Sequence, residues 1–105
     1  LFCAGDASLS LRALSLEGNR AGAGGAVYVD GCDVSFEDSF LTGNEASGDG
    51  GAIFVTDGSV ALVESEVTGN RADDDGGGVY LEKGSHLEVT DTTLLRWSAT
   101  FMGPP

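Results

Sequence analysis

"NEASGDGGAIFV", residues 44–55, packs three glycines around one acid and then runs into four consecutive apolar residues. It reads neither as an amphipathic helix, whose interior glycines would each cost about 1 kcal/mol against alanine, nor as an ordinary hairpin. The same phrase returns as "NRAGAGGAVYV" from Asn19 and as "NRADDDGGGVYL" from Asn70. Its Gly-Gly pairs begin at Gly24, Gly50 and Gly76, a constant spacing of 26 residues. Asn19, Asn44 and Asn70 recur at 25 and 26, preceded by "LEG", "LTG" and "VTG". A fixed period of this length marks a repeat architecture.

Between the phrases run "DVSFEDSFL", "SVALVESEV" and "HLEVTDTTLL", which alternate apolar and polar residues as half-buried strands do. A 26-residue unit holding three short strands and three Gly- or Asn-marked corners fits one coil of a parallel β-solenoid. Ankyrin and tetratricopeptide units are longer and helical, and the regular leucine spacing of leucine-rich repeats is missing. Each strand would pair with its equivalents above and below at about 4.8 Å, so like residues stack into columns. The expected fold is all-β, a right-handed parallel β-helix of about three to four coils in one domain, residues 1–105. Its repeats run roughly over 1–19, 20–44, 45–70 and 71–96, with 97–105 as a C-terminal cap or docking tail.

Asn-x-Ala followed by Gly-Gly-[Ala/Gly]-[Val/Ile], with an apolar residue three before the Asn, resembles the "FxxN" and "GGAI" repeats of chlamydial polymorphic outer membrane proteins. The resemblance extends over nearly the whole chain, with Leu or Val where Phe is usual. It implies a right-handed β-helix displayed at a cell surface.

Stacked copies predict which residues face inward. Val27 and Val29, Ile53 and Val55, and Val79 and Leu81 line one wall. Val34 and Phe36, Val60 and Leu62, and Leu87 and Val89 line a second, continued upward by Leu9 and Leu11. Asn19, Asn44 and Asn70 form an asparagine ladder at one corner, each amide able to serve a neighbour's carbonyl. They are not glycosylation sites, because none has Ser or Thr two residues on. Gly24, Gly25, Gly50, Gly51, Gly76 and Gly77 turn corners that side chains would block. Arg20, Glu45 and Arg71 align as a column worth about 0.2–1 kcal/mol per pair.

Seventeen acids against five bases give a formal net charge of -12, which argues against nucleic acid and anionic membranes as partners. No apolar run reaches the roughly 18 residues of a membrane span. The start lacks the basic-then-apolar order of a signal peptide, and without an initiating Met the chain reads as a processed or partial product. Cys3 and Cys32 do not occupy equivalent coil positions, and both a disulfide and two buried thiols stay open.

Little in the sequence carries chemistry. "GAGGAV" fails the dinucleotide spacing, "DDDG" fails the calcium-hand pattern, and no Ser, His and Asp triad assembles. The lone His86 is expected at the surface of a strand. Asp73, Asp74 and Asp75, with Asp49 one coil away, offer oxygen ligands for calcium, but a solvated acidic loop is the expectation, with no metal and no cofactor. With Val27 and Val29 inward, Tyr28 turns outward over Phe54 and Tyr80, an exposed aromatic strip suited to sugar rings or a protein partner. An inward stack is the alternative. Trp97, Phe101 and Met102 gather in a tail that breaks the repeat and ends in two prolines. The expected role is a non-catalytic scaffold or interaction module outside the cytoplasm, in contact with a protein partner, a larger assembly or a glycan. The alternative is a fragment of a carbohydrate-active β-helix enzyme, against which stand the single Lys83 and the short corners.

Overall fold

A computed structural model describes residues 1–74, 76–82, 84–94 and 97–99, the last three by their backbone. Its elements among these residues are β-strands, laid out in coils. The first coil holds β1 (Phe2–Ala4), β2 (Ser8–Arg12), β3 (Ser15–Glu17) and β4 (Arg20–Ala21). The second holds β5 (Val27–Asp30), β6 (Asp33–Glu37), β7 (Phe40–Thr42) and β8 (Glu45–Ala46). The third repeats the plan as β9 (Ile53–Thr56), β10 (Ser59–Val63), β11 (Glu66–Thr68) and β12 (Arg71–Ala72). The fourth runs through β13 (Val79–Leu81), β14 (His86–Thr90) and β15 (Thr93–Leu94) and ends on β16 (Trp97–Ala99).

Equivalent strands pair in parallel, giving four sheets in the orders β1-β5-β9-β13-β16, β14-β10-β6-β2, β15-β11-β7-β3 and β12-β8-β4. The chain is thus a parallel β-solenoid of about four turns. Each full coil has four strands where the sequence suggested three. The fourth is only two residues long, "RA" or "EA", too short for any alternation to show.

Alternation builds the core. In β6 and β10 every second side chain is buried, so Val34, Phe36, Val60 and Leu62 stack inward in register. Val27, Val29, Ile53, Val55, Val79 and Leu81 form the facing wall, all at 0% exposure. A third wall, Leu41 and Val67 flanked by half-buried Leu16 and Leu94, closes the section. Burying each such side chain contributes about 1.5–3 kcal/mol.

The ends depart from the expected inner walls. Val89 is 42% exposed and Leu87 only half buried, because β14 is the outermost strand of its sheet among the described residues. The tail also differs from its reading as a break. Trp97–Ala99 form β16 and extend the first sheet, with Val79 paired to Trp97 and Leu81 to Ala99. Two residues separate β15 from β16, whereas ten separate β11 from β13, and among the described residues no strand of the last turn joins the fourth sheet.

Candidate functional site

The glycine phrase makes the tightest corner. Gly24, Gly50 and Gly76 have φ of 59°, 70° and 65°, left-handed backbone that glycine adopts without strain. Next to them, Gly25 donates to the Gly50 carbonyl at 3.1 Å and Gly51 to that of Gly76 at 3.0 Å. A Cβ on Gly51 would run into the Gly77 and Arg71 backbone, so only glycine lets successive coils approach this closely.

At the preceding corner, the Asn19 and Asn44 side-chain amides donate to the carboxamide oxygens of Asn44 and Asn70 at 3.0 and 2.9 Å. Each of those oxygens also accepts the backbone N–H of the Asn above it, at 3.0 and 2.9 Å. The amides of Asn44 and Asn70 donate further to the Leu16 and Leu41 carbonyls. Asn44 and Asn70 are 1% and 4% exposed, so these bonds satisfy groups cut off from water.

A second polar column was not among the expectations from the sequence. Ala13, Asp38, Glu64 and Asp91 occupy equivalent corner positions with φ of 54°, 51°, 47° and 46°. None is a glycine, so nothing in the residue types marks the turn. The last three are each followed by a hydroxyl residue that spans the corner. Ser39 accepts the Leu14 N–H at 3.2 Å and donates to the Glu37 carbonyl at 3.0 Å. Ser65 and Thr92 repeat the arrangement, accepting from Ser39 and Ser65 at 3.1 Å. Hydroxyls spaced 26 and 27 residues apart were the available clue.

On the outer face of the first sheet, four rings stack in a column. Phe2 and Tyr28 lie 5.3 Å apart, Tyr28 and Phe54 5.0 Å, and Phe54 and Tyr80 5.5 Å, with planes within 17°. The strip is not exposed along its length: Phe54 and Tyr80 are 8% and 6% accessible, and Tyr28 is half covered. The Phe54 ring has both faces taken by its neighbours, and the glycine corner runs close to the backbone of the same strands. Phe2, with no described ring above it, is 67% exposed and presents the open face of the column.

The charged column lies on the fourth sheet. Arg20 and Arg71 meet the two oxygens of Glu45 at 3.4 and 3.7 Å, and Arg71 also reaches Asp73 at 3.5 Å. Asp73 and Asp74 are exposed. Among the described residues no three His, Cys, Asp or Glu side chains converge to hold a metal.

His86 is exposed and pairs in register with Ser59, which pairs with Asp33. Ser59 donates to the Asp33 carboxylate at 2.6 Å. A catalytic serine must give its proton to an imidazole held by the acid, and here the hydroxyl sits between the other two groups. Cys3 and Cys32 form a disulfide across adjacent coils, with Cα atoms 6.1 Å apart and Cys32 fully buried. Lys83, Asp75, Phe101 and Met102 lie outside the described residues, as does the side chain of Trp97.

Residues 38–56 match the family model of the Chlamydia polymorphic membrane protein repeat. The matched stretch runs from left-handed Asp38 through β7, β8 and the Gly50–Gly51 corner to the end of β9. The curated proteins and the solved structures contain no match to the chain.

Proposed function

We propose that the chain is a non-catalytic structural module of an extracytoplasmic, surface-displayed protein, a short β-solenoid scaffold that contacts another protein chain or a glycan within a larger assembly. The observation that carries this reading is the stacked repeat itself, similar over residues 38–56 to a repeat of membrane proteins and continued in register through the neighbouring coils. The Cys3–Cys32 bond supports it, since disulfides persist in oxidising compartments. Contact through the aromatic column would use Phe2 and the open edge of Tyr28, because the rings of Phe54 and Tyr80 are enclosed.

Antibodies raised against the folded chain should label intact cells of the source as strongly as permeabilised ones, and the two cysteines should resist maleimide until a reductant is added. Labelling confined to permeabilised cells, or free thiols in freshly isolated protein, would overturn the surface reading. Turnover of acidic polysaccharides by the purified chain would overturn the non-catalytic one.

A further inference from the structure

Phe40 is 51% exposed although it sits inside the stack. It lies on β7, an inner strand of the third sheet, with β3 on one side and β11 on the other. Alternation turns Leu41 inward and Phe40 outward, and its in-register neighbours are Ser15 and Glu66. The other exposed large apolar side chains among the described residues, Leu1, Phe2 and Val89, lie in the first and fourth coils. Phe40 is left open by the chemistry of its neighbours and not by a missing coil. A serine is too small to cover a ring, and no described ring stacks on Phe40 as Tyr28 and Tyr80 do on Phe54.

The surroundings of this ring are acidic. Glu17 and Glu66 share the outward face of the third sheet, and the left-handed corner that leads into it carries Asp38, Glu64 and Asp91 on successive coils. Neighbouring coils stand about 4.8 Å apart, so these three set like charges next to one another. Among the described residues none of the five acids forms an ion pair, and no outward position of the third sheet holds a base. Arg12, immediately before the corner, is taken by Glu37 at 3.4 Å. The fourth sheet shows the contrast, since there Arg20, Glu45 and Arg71 alternate in sign and balance within the chain.

We propose that this face docks a basic segment of another polypeptide, with an Arg or Lys side chain laid over Phe40 and further cations against Asp38, Glu64 and Glu66. The inference rests on the scaffold reading above and names the surface and the chemistry of its partner. A guanidinium or ammonium group is drawn to the negative face of the ring, and its alkyl stem covers the apolar surface that Ser15 leaves open. The partner's cations also relieve the repulsion along the corner, which no described group of the chain does. An anionic partner would add to that repulsion. A neutral glycan would stack on the ring and leave the carboxylates unbalanced, so charge complementarity selects the basic segment.

The test is the fluorescence anisotropy of a labelled peptide of alternating Arg and Ser, titrated with the purified chain beside a peptide of alternating Glu and Ser. Salt is held at about 0.15 M, where screening over about 8 Å suppresses long-range attraction. Binding of the Arg peptide alone is expected. Phe40→Ser should weaken it by about two- to fivefold. Asp38→Asn with Glu64→Gln should weaken it more than Asp57→Asn with Asp74→Asn, which removes the same charge from exposed acids on other corners. All five positions are exposed, and thermal melting of each variant shows that it folds. No binding of the Arg peptide, or equal binding of the Glu peptide, would overturn the proposal. So would equal losses from the two double variants with none from Phe40→Ser, which mark a general attraction to net charge. These outcomes leave the cell-surface location of the chain untouched, whereas labelling confined to permeabilised cells sinks the scaffold reading and leaves the docking face standing.

Discussion

Asn44 shows how one residue holds three coils. Its side chain accepts from the coil above, and its amide donates to Asn70 and to the Leu16 carbonyl. Asn44→Ala should cost about 1–3 kcal/mol, because it removes bonding partners from Asn19, the Leu16 carbonyl and buried Asn70 without changing charge. Urea unfolding checks it, and equal midpoints for mutant and parent would mean that water replaces the amide. Gly51→Ala belongs to the same scale but acts by exclusion, since its Cβ would meet the Gly77 and Arg71 backbone and neither neighbour is a flexible side chain. It should lower the melting temperature more than Gly22→Ala, whose Cβ meets open space. The asparagines and glycines were legible in the sequence because their types recur. The left-handed corner at Ala13, Asp38, Glu64 and Asp91 was not, because no residue type announces it and, after the last three, the following hydroxyl does the work of a cap.

At the scale of the element, β1 is an edge strand held by few contacts. It is three residues long and pairs only with β5, and its one buried side chain is Cys3. The bond to Cys32, 29 residues on, limits the unfolded chain and fixes β1 against the next coil. Cys3→Ala with Cys32→Ala should lower stability by about 3 kcal/mol, and hydrogen exchange should quicken first at β1 and the outward amides of β5. Unchanged exchange there would mean that Leu1 and the sheet suffice, since the terminal amine already donates to the Ala26 carbonyl at 2.7 Å. The aromatic column teaches a related lesson. Strand alternation correctly turned the rings outward, but outward is not the same as exposed when a ring's two faces are taken by the rings above and below.

Over the whole molecule, contacts run between neighbouring coils, so stability is close to a sum over coils and their junctions. Deleting residues 45–70 joins Asn44 to Arg71 and keeps every column in register, because Glu45 and Arg71 are equivalent positions. The shortened chain should fold, with a lower melting temperature and an unchanged β-type circular dichroism spectrum. A disordered product would show that the third coil holds something the repeat does not share. Salt should act in the opposite direction. Raising ionic strength from about 0.01 M to 0.15 M cuts the screening length from about 30 Å to 8 Å, so the acidic central coils should repel less and the melting temperature should rise. A fall would mean that the Arg20–Glu45–Arg71 column outweighs the repulsion.

The sequence by itself determined the solenoid, its period, the inward faces of the central coils and the asparagine corner, because each depends on a residue type recurring at a fixed interval. Tertiary structure decided what depends on having or lacking a neighbour along the axis. Leu62 and Val89 occupy one column and read alike, yet one is fully buried and the other 42% exposed, because among the described residues only the first has paired strands on both sides. Cys3 and Cys32 lie at unlike positions in their coils, and only the closing of one turn over the next brings their Cα atoms to 6.1 Å. Trp97 breaks the spacing of the repeat, yet its backbone lies in the first sheet opposite Val79. Periodicity records what every coil shares, and the ends and crossings of the stack are where the coils differ.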